Sequence, residues 1–198
     1  MIHDFAERLE FSLGENKRHD ENIIRKIIPN CVKVEKTNVN ADKGGIDYVA
    51  YLPEGGRVNI DVKTRDKGAS KYWKQGEPEL AIEVWSVCPK AGQAGKSGWT
   101  LSTGTQVDYI LYKFHEQDSN KIYILPYQQL RMSFIRNNGE WIKRYGVKRQ
   151  DSGKWQSEAV FVPASVVIEA IKAEMQGVLN SEQPEAAKIT YNNKDKQS

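Results

Sequence analysis

Asp47, Asp61 and Lys63 are the residues of this chain whose types and spacing can do chemistry together. Asp47 closes the run Gly44-Gly45-Ile46-Asp47-Tyr48, and Asp61 and Lys63 lie in Arg57-Val58-Asn59-Ile60-Asp61-Val62-Lys63-Thr64. Two carboxylates held side by side repel each other and are costly unless a cation or a proton joins them. An oxygen-rich site with few protein ligands suits Mg²⁺, with Mn²⁺ as a substitute. Such a metal polarises a phosphoryl oxygen and lowers the pKa of a bound water. A lysine beside it can orient that water or stabilise negative charge in the transition state. The chemistry implied is metal-dependent hydrolysis of a phosphodiester, with Asp47 and Asp61 as metal ligands.

The elements that must position these side chains are two strands. From Arg57 to Thr64, polar Arg57, Asn59, Asp61 and Lys63 alternate with Val58, Ile60 and Val62, the period of a half-buried strand. Ile46 to Leu52 is rich in strand-forming residues, and Pro53-Glu54-Gly55-Gly56 supplies a tight connection, so the runs are expected to pair as an antiparallel hairpin. Register decides the site. A two-residue loop at Glu54-Gly55 would set Asp47 opposite Val62 and turn Asp61 away; a loop of odd length, or a bulge at Gly56, brings both carboxylates to one face.

Asp47 followed by Asp61-Val62-Lys63 resembles the motif of the PD-(D/E)xK nuclease superfamily, whose members share a restriction-endonuclease-like or Holliday-resolvase-like fold. The proline that usually precedes the first aspartate is replaced by Ile46. The resemblance covers Glu15 to Arg65 and extends weakly through Thr105–Tyr112 and Ile122–Pro126. It implies an α/β (α+β) architecture with a central mixed sheet flanked by helices, metal-dependent DNA cleavage, and one more acid from an N-terminal helix. Small single-domain relatives of this kind occur as phage or mobile-element proteins.

For the helical acid the candidate is Glu21. Asp20 to Ile28 reads as an amphipathic helix with Ile23, Ile24, Ile27 and Ile28 on one face, which Glu21 borders. Glu15 is the runner-up; Glu7 and Glu10 belong to an earlier helix, Ile2 to Leu13. Taken singly, each of these acids reads as a solvated helix face. Two surfaces suit nucleic acid. The first, Lys63, Arg65, Lys67, Lys71, Tyr72, Trp73 and Lys74, adjoins the proposed site and mixes cations, which neutralise phosphates, with rings, which stack on unpaired bases. The second is Lys143, Arg144, Lys148 and Arg149. Gly95-Lys96-Ser97 lacks the earlier glycine of a phosphate-binding loop, Lys90 standing there, and is expected to be a flexible loop offering Lys96 and Trp99 to the substrate. His3, His19 and His115 have no zinc-ligand spacing.

The 198 residues suit one domain, expected over residues 1–179, with a polar, disordered tail over 180–198. Lys and Arg number 29 against 26 Asp and Glu, a net +3, so nucleic-acid contact must come from a local patch. No apolar run of membrane-spanning length occurs, and Met1 to Glu7 lacks the design of a signal peptide. Cys31 and Cys88 read as free thiols in a reducing, cytoplasmic compartment. Further strands are expected at Cys31–Glu35, Leu80–Val87, Val107–Phe114 and Lys121–Leu125, with a hairpin of Ile142–Arg149 and Lys154–Val162. Helices are expected at Pro126–Arg136 and Ala164–Val178. DNA is the expected partner, RNA remaining open, and cutting both strands would favour a homodimer. The competing readings are an inactive module of the same fold that binds DNA or a protein, for example a phage inhibitor, and a carboxylate-pair hydrolase acting on sugars, which has no need of Lys63.

Overall fold

Alternation and helical spacing produce thirteen α-helices and strands among the described residues of the computed structural model, which are 16–37, 45–65, 73–74, 76–90, 92–115, 120–151, 153 and 155–182. In chain order they are α1 (Asn16–Ile27), β1 (Lys33–Lys36), β2 (Tyr48–Tyr51), β3 (Arg57–Arg65), β4 (Trp73–Lys74), β5 (Glu77–Val87), β6 (Lys96–Ser97), β7 (Tyr109–His115), β8 (Asn120–Pro126), α2 (Tyr127–Tyr145), β9 (Val147–Asp151), β10 (Gln156–Pro163) and α3 (Ala164–Glu182). The expected helix over Ile2–Leu13 and all but the first residues of the expected tail lie outside the described residues. So do Glu7, Glu10 and Glu15.

The architecture is mixed α+β. A five-stranded sheet runs in the order β1-β2-β3-β7-β8 and is mixed, because β3 pairs parallel to β7 while its other pairings are antiparallel. A second, antiparallel sheet runs β4-β5-β10-β9, with β6 on β5. The parallel step needs a long crossover, and β4, β5 and β6 are built inside it.

Each face of the first sheet has its own core. On one side α1 lays Ile23 and Ile24 on Val34, Tyr48, Ala50, Ile60 and Leu111. On the other, Ile110, Tyr112 and Phe114 join Leu80, Ile82, Val160 and Val162 of the second sheet and Leu130, Phe134, Trp141, Val167 and Ile171 of the last two helices. Leu80, Ile82 and Val160 are fully buried, each stabilising the fold by about 1.5–3 kcal/mol. Tyr112 ties the sheets together: its hydroxyl accepts from Arg65 Nε at 3.1 Å and from the Ala81 N–H at 3.1 Å.

Beneath the α1 face lies a buried charge pair. Lys113 on β7 is ion-paired with Asp20 on α1, and the Tyr48 hydroxyl donates to the other Asp20 oxygen at 3.3 Å. Burial, with Asp20 adding to it, pushes the Tyr48 phenol well above its usual range and keeps it a donor.

Two expectations are corrected. α2 does not stop at Arg136 but continues to Tyr145, so Ile142 to Tyr145, with Lys143 and Arg144, are helical, and the strand begins only at Val147. The apolar stripe Tyr127, Leu130, Phe134, Trp141 keeps helical spacing through Asn137-Asn138-Gly139, and Gly146, at φ 74°, ends the helix. α3 does not stop at Val178 but runs to Glu182. No helix among the described residues is long and apolar enough to cross a membrane. Cys31 and Cys88 are both free thiols.

Candidate active site

The β2–β3 hairpin takes the register the site requires. Tyr51 pairs with Arg57 and Tyr48 with Ile60, leaving residues 52–56, an odd number, in the connection. The loop closes by the Leu52 N–H donating to Gly56 O at 2.8 Å, and it turns through positive φ at Glu54 (64°) and Gly55 (84°). Glycine tolerates such φ without strain.

Asp47 stands just before β2. Its N–H donates to Ile60 O at 2.9 Å, and its Oδ2 accepts from the Val62 N–H at 2.7 Å. The carboxyl thus sits beside Asp61, close enough to hydrogen-bond with it. Asp61 is buried, 5% exposed. Lys63 Nζ lies 2.9 Å from Asp61 Oδ1 and 2.8 Å from Oδ2.

Electrostatics follow from this packing. Burial pushes the Asp47 carboxyl from its ordinary 3.8 to about 6, and neighbouring Asp61 adds to the rise against the Val62 hydrogen bond and Lys63. Burial alone would lower the Lys63 ammonium, but Asp61, Asp47 and Glu83 outweigh it and hold the group above its usual value. Lys63 is therefore a cation here.

A carboxyl with a raised folded pKa adds stability at low pH and loses it as pH rises from about 4 to about 6, where the folded state must give up a proton the unfolded chain has already lost. Two pK units correspond to roughly 3 kcal/mol as an upper value. Asp47→Asn removes this titration. In EDTA it is expected to be more stable than the wild type at pH 8 by up to that amount, the advantage vanishing at pH 4. Denaturant unfolding at both pH values measures it; parallel pH profiles for the two proteins would contradict the assignment.

The third acid near Lys63 is Glu83 on β5, which the sequence reading did not single out. Its Oε2 accepts from Ser86 Oγ at 2.6 Å and from the Trp99 N–H at 3.1 Å. Gly98 allows that approach: a Cβ there would lie 2.2 Å from Glu83 O, a contact no alanine can make without moving backbone. Trp99 then places its ring 5.5 Å from Lys63 Nζ, an attractive cation–ring contact. The signal for Glu83 was present in Glu77, Glu79 and Glu83 alternating with Pro78, Leu80, Ile82 and Val84. The alternation marks a polar face but not that this face packs against another sheet.

Of the remaining expected residues, Glu21 is half-buried on α1 and its charge acts on Tyr48. Among the described residues no hydrogen bond or ion pair joins it to Asp47 or Asp61; its neighbour Asp20 is the helix acid engaged with the sheet. Arg65 shares the Lys63 side of β3, with its Nε on Tyr112 and its guanidinium 5.9 Å from the Phe161 ring, which Lys148 approaches at 4.7 Å. Lys67, Lys71 and Tyr72, and the side chains of Trp73 and Lys74, lie outside the described residues. Lys96 and Ser97 form β6 on β5 rather than a loop.

Among the described residues no group of three or more His, Cys, Asp or Glu side chains could hold a metal. The pair Asp47 and Asp61 still fits a hard divalent ion. It offers only oxygen donors, and burial together with the neighbouring Asp61 raises the Asp47 carboxyl to about 6, a cost to its ionised form that a cation relieves. Mg²⁺ commonly takes one or two carboxylates and completes its shell with water and substrate phosphate.

No family model and no curated protein matches the sequence. A search of solved structures found similarity to a nuclease from a fusselovirus, at 13% identity and a TM-score of 0.37, over 83% of this chain and 93% of that one. A likeness that loose carries no function, and the site must be read from the chain's own residues.

Proposed function

We propose that the protein is a metal-dependent DNA endonuclease of the PD-(D/E)xK type, hydrolysing phosphodiester bonds at Asp47, Asp61 and Lys63. The observation that carries this reading is the convergence of these three side chains at the end of one hairpin, with Lys63 ion-paired to Asp61 and Asp47 beside them.

Asp47 and Asp61 would hold Mg²⁺, or Mn²⁺ in its place. When bound, the ion polarises a phosphoryl oxygen and makes a bound water more acidic. The chain's residues do the rest. Lys63, kept protonated by the acids around it, presents a fixed positive charge to the oxygens that gain negative charge in the transition state; a charge already in place costs no reorganisation at that moment. Asp61 sets the position of that ammonium. Glu83 holds the Trp99 backbone, and the Trp99 ring walls one side of Lys63. Arg65 continues the basic side of β3 away from the site, where a strand's next phosphates would pass.

Mn²⁺ titrated into the EDTA-stripped protein, followed by the paramagnetic signal of the free ion, tests the metal pair. Wild type is expected to take up Mn²⁺ at one site and Asp61→Asn to lose most of that uptake. Equal uptake by the two proteins would remove Asp61 from the site.

A further inference from the structure

At the start of α2 a cavity of about 130 Å³ is lined by Ser102, Thr103, Thr105, Tyr127, Gln128 and Arg131. The proposed reaction uses none of them. Four hydroxyl side chains, a carboxamide and a guanidinium meet there, and no carboxylate is among the lining residues. Arg131 Nε is buried without a hydrogen-bond partner, and Arg131 forms no ion pair among the described residues. Leaving that buried Nε donor unpaired is costly, and the group that best matches the fork of this half-buried guanidinium is an oxyanion. The adjoining helix end adds to this preference. Pro126 gives it no side-chain cap, so the positive end of the helix dipole stands at the cavity.

The cavity is also joined to the active site. The Tyr127 hydroxyl lies 2.8 Å from the Trp99 carbonyl oxygen and 3.1 Å from that of Ser102. The loop that supplies Ser102, Thr103 and Thr105 is thus anchored beside the residue whose ring faces Lys63.

We infer that this cavity binds a backbone phosphate of the nucleic-acid strand, at a nucleotide away from the one that is cut, through Arg131 and the Ser102, Thr103 and Thr105 hydroxyls. The inference rests on the nuclease reading only in taking the ligand to be nucleic acid. The cavity fixes the strand's register on the protein and contributes nothing to sequence choice, because phosphate contacts position while base contacts specify.

The test is binding of a fluorescent DNA oligonucleotide to the full chain in EDTA, by anisotropy at several KCl concentrations, with methylphosphonate replacing one phosphate at a time. Arg131→Gln is expected to weaken binding about 10-fold and to reduce the slope of log Kd against log salt by about 1. Thr103→Val should weaken binding less and leave the slope unchanged. The exposed charge change Lys172→Gln should alter neither. In the wild type, one methylphosphonate position should reproduce the Arg131→Gln loss, and combining the two should cost nothing further. A wild-type slope in Arg131→Gln overturns the assignment, as does a scan in which every position adds to the variant. Protection of the fold by inorganic phosphate without any oligonucleotide binding would also overturn it. A chain that passes this test and yet cuts no DNA with any divalent metal keeps the phosphate site and loses the nuclease reading; a chain that cuts DNA with Arg131 indifferent does the reverse.

Discussion

Lys63→Ala is expected to slow DNA cleavage by about 10²- to 10³-fold, the usual loss when one preorganised charge-stabilising donor is removed. The rate of the chemical step should carry the loss, with KM changed little, because the ammonium acts on charge that appears only in the transition state. Lys63→Arg should restore little. The ammonium is held 2.8–2.9 Å from both Asp61 oxygens with the Trp99 ring on another side, and a planar guanidinium does not reproduce that placement. Lys63→Ala also leaves the buried Asp61 without its cation, so that variant should take up divalent metal at least as well as the wild type. Single-turnover cleavage separates these terms. A loss confined to KM would mean that Lys63 only binds DNA.

Lys113→Met carries the largest expected effect on stability. Lys113 is 1% exposed and Asp20 4%, and they pair beneath the first sheet. Removing one partner of such a pair leaves an uncompensated buried charge, a cost of about 3–5 kcal/mol. In a domain of this size that lowers Tm by roughly 6–20 °C. The double change Asp20→Asn with Lys113→Met should recover most of the loss. It removes both charges and keeps an acceptor for the Tyr48 hydroxyl, whereas Asp20→Leu would strand that hydroxyl. Thermal and urea unfolding of the four proteins completes the cycle. A single variant within about 1 kcal/mol of wild type would show that the pair is not held in a dry interior.

The hairpin was legible because its two faces alternate so cleanly: Val58, Ile60 and Val62 alternate with Asn59, Asp61 and Lys63. Its register was not, since the sequence allowed both an even and an odd connection, and only the Tyr51–Arg57 pairing sets Asp47 beside Asp61. The apolar face of α1 was readable from its isoleucines. Which of its acids would meet the sheet was not, because neighbours Asp20 and Glu21 differ by only one step around the helix, and Tyr48 and Lys113 decide between them. Glu83 and Arg131 escaped for a shared reason: each owes its position to contact between segments far apart in the chain, β5 with the 98–105 loop and that loop with the start of α2. Short-range pattern carries no information on such contacts.

The measurement closest to the central claim is cleavage of supercoiled and linear DNA by the wild-type chain in Mg²⁺, in Mn²⁺ and in EDTA, with Asp61→Asn run alongside. The expected result is cutting in either metal, none in EDTA, and none by Asp61→Asn in a protein that still folds. Cutting that persists in EDTA or in Asp61→Asn would contradict the site, and DNA bound but left intact by wild type in both metals would contradict the activity.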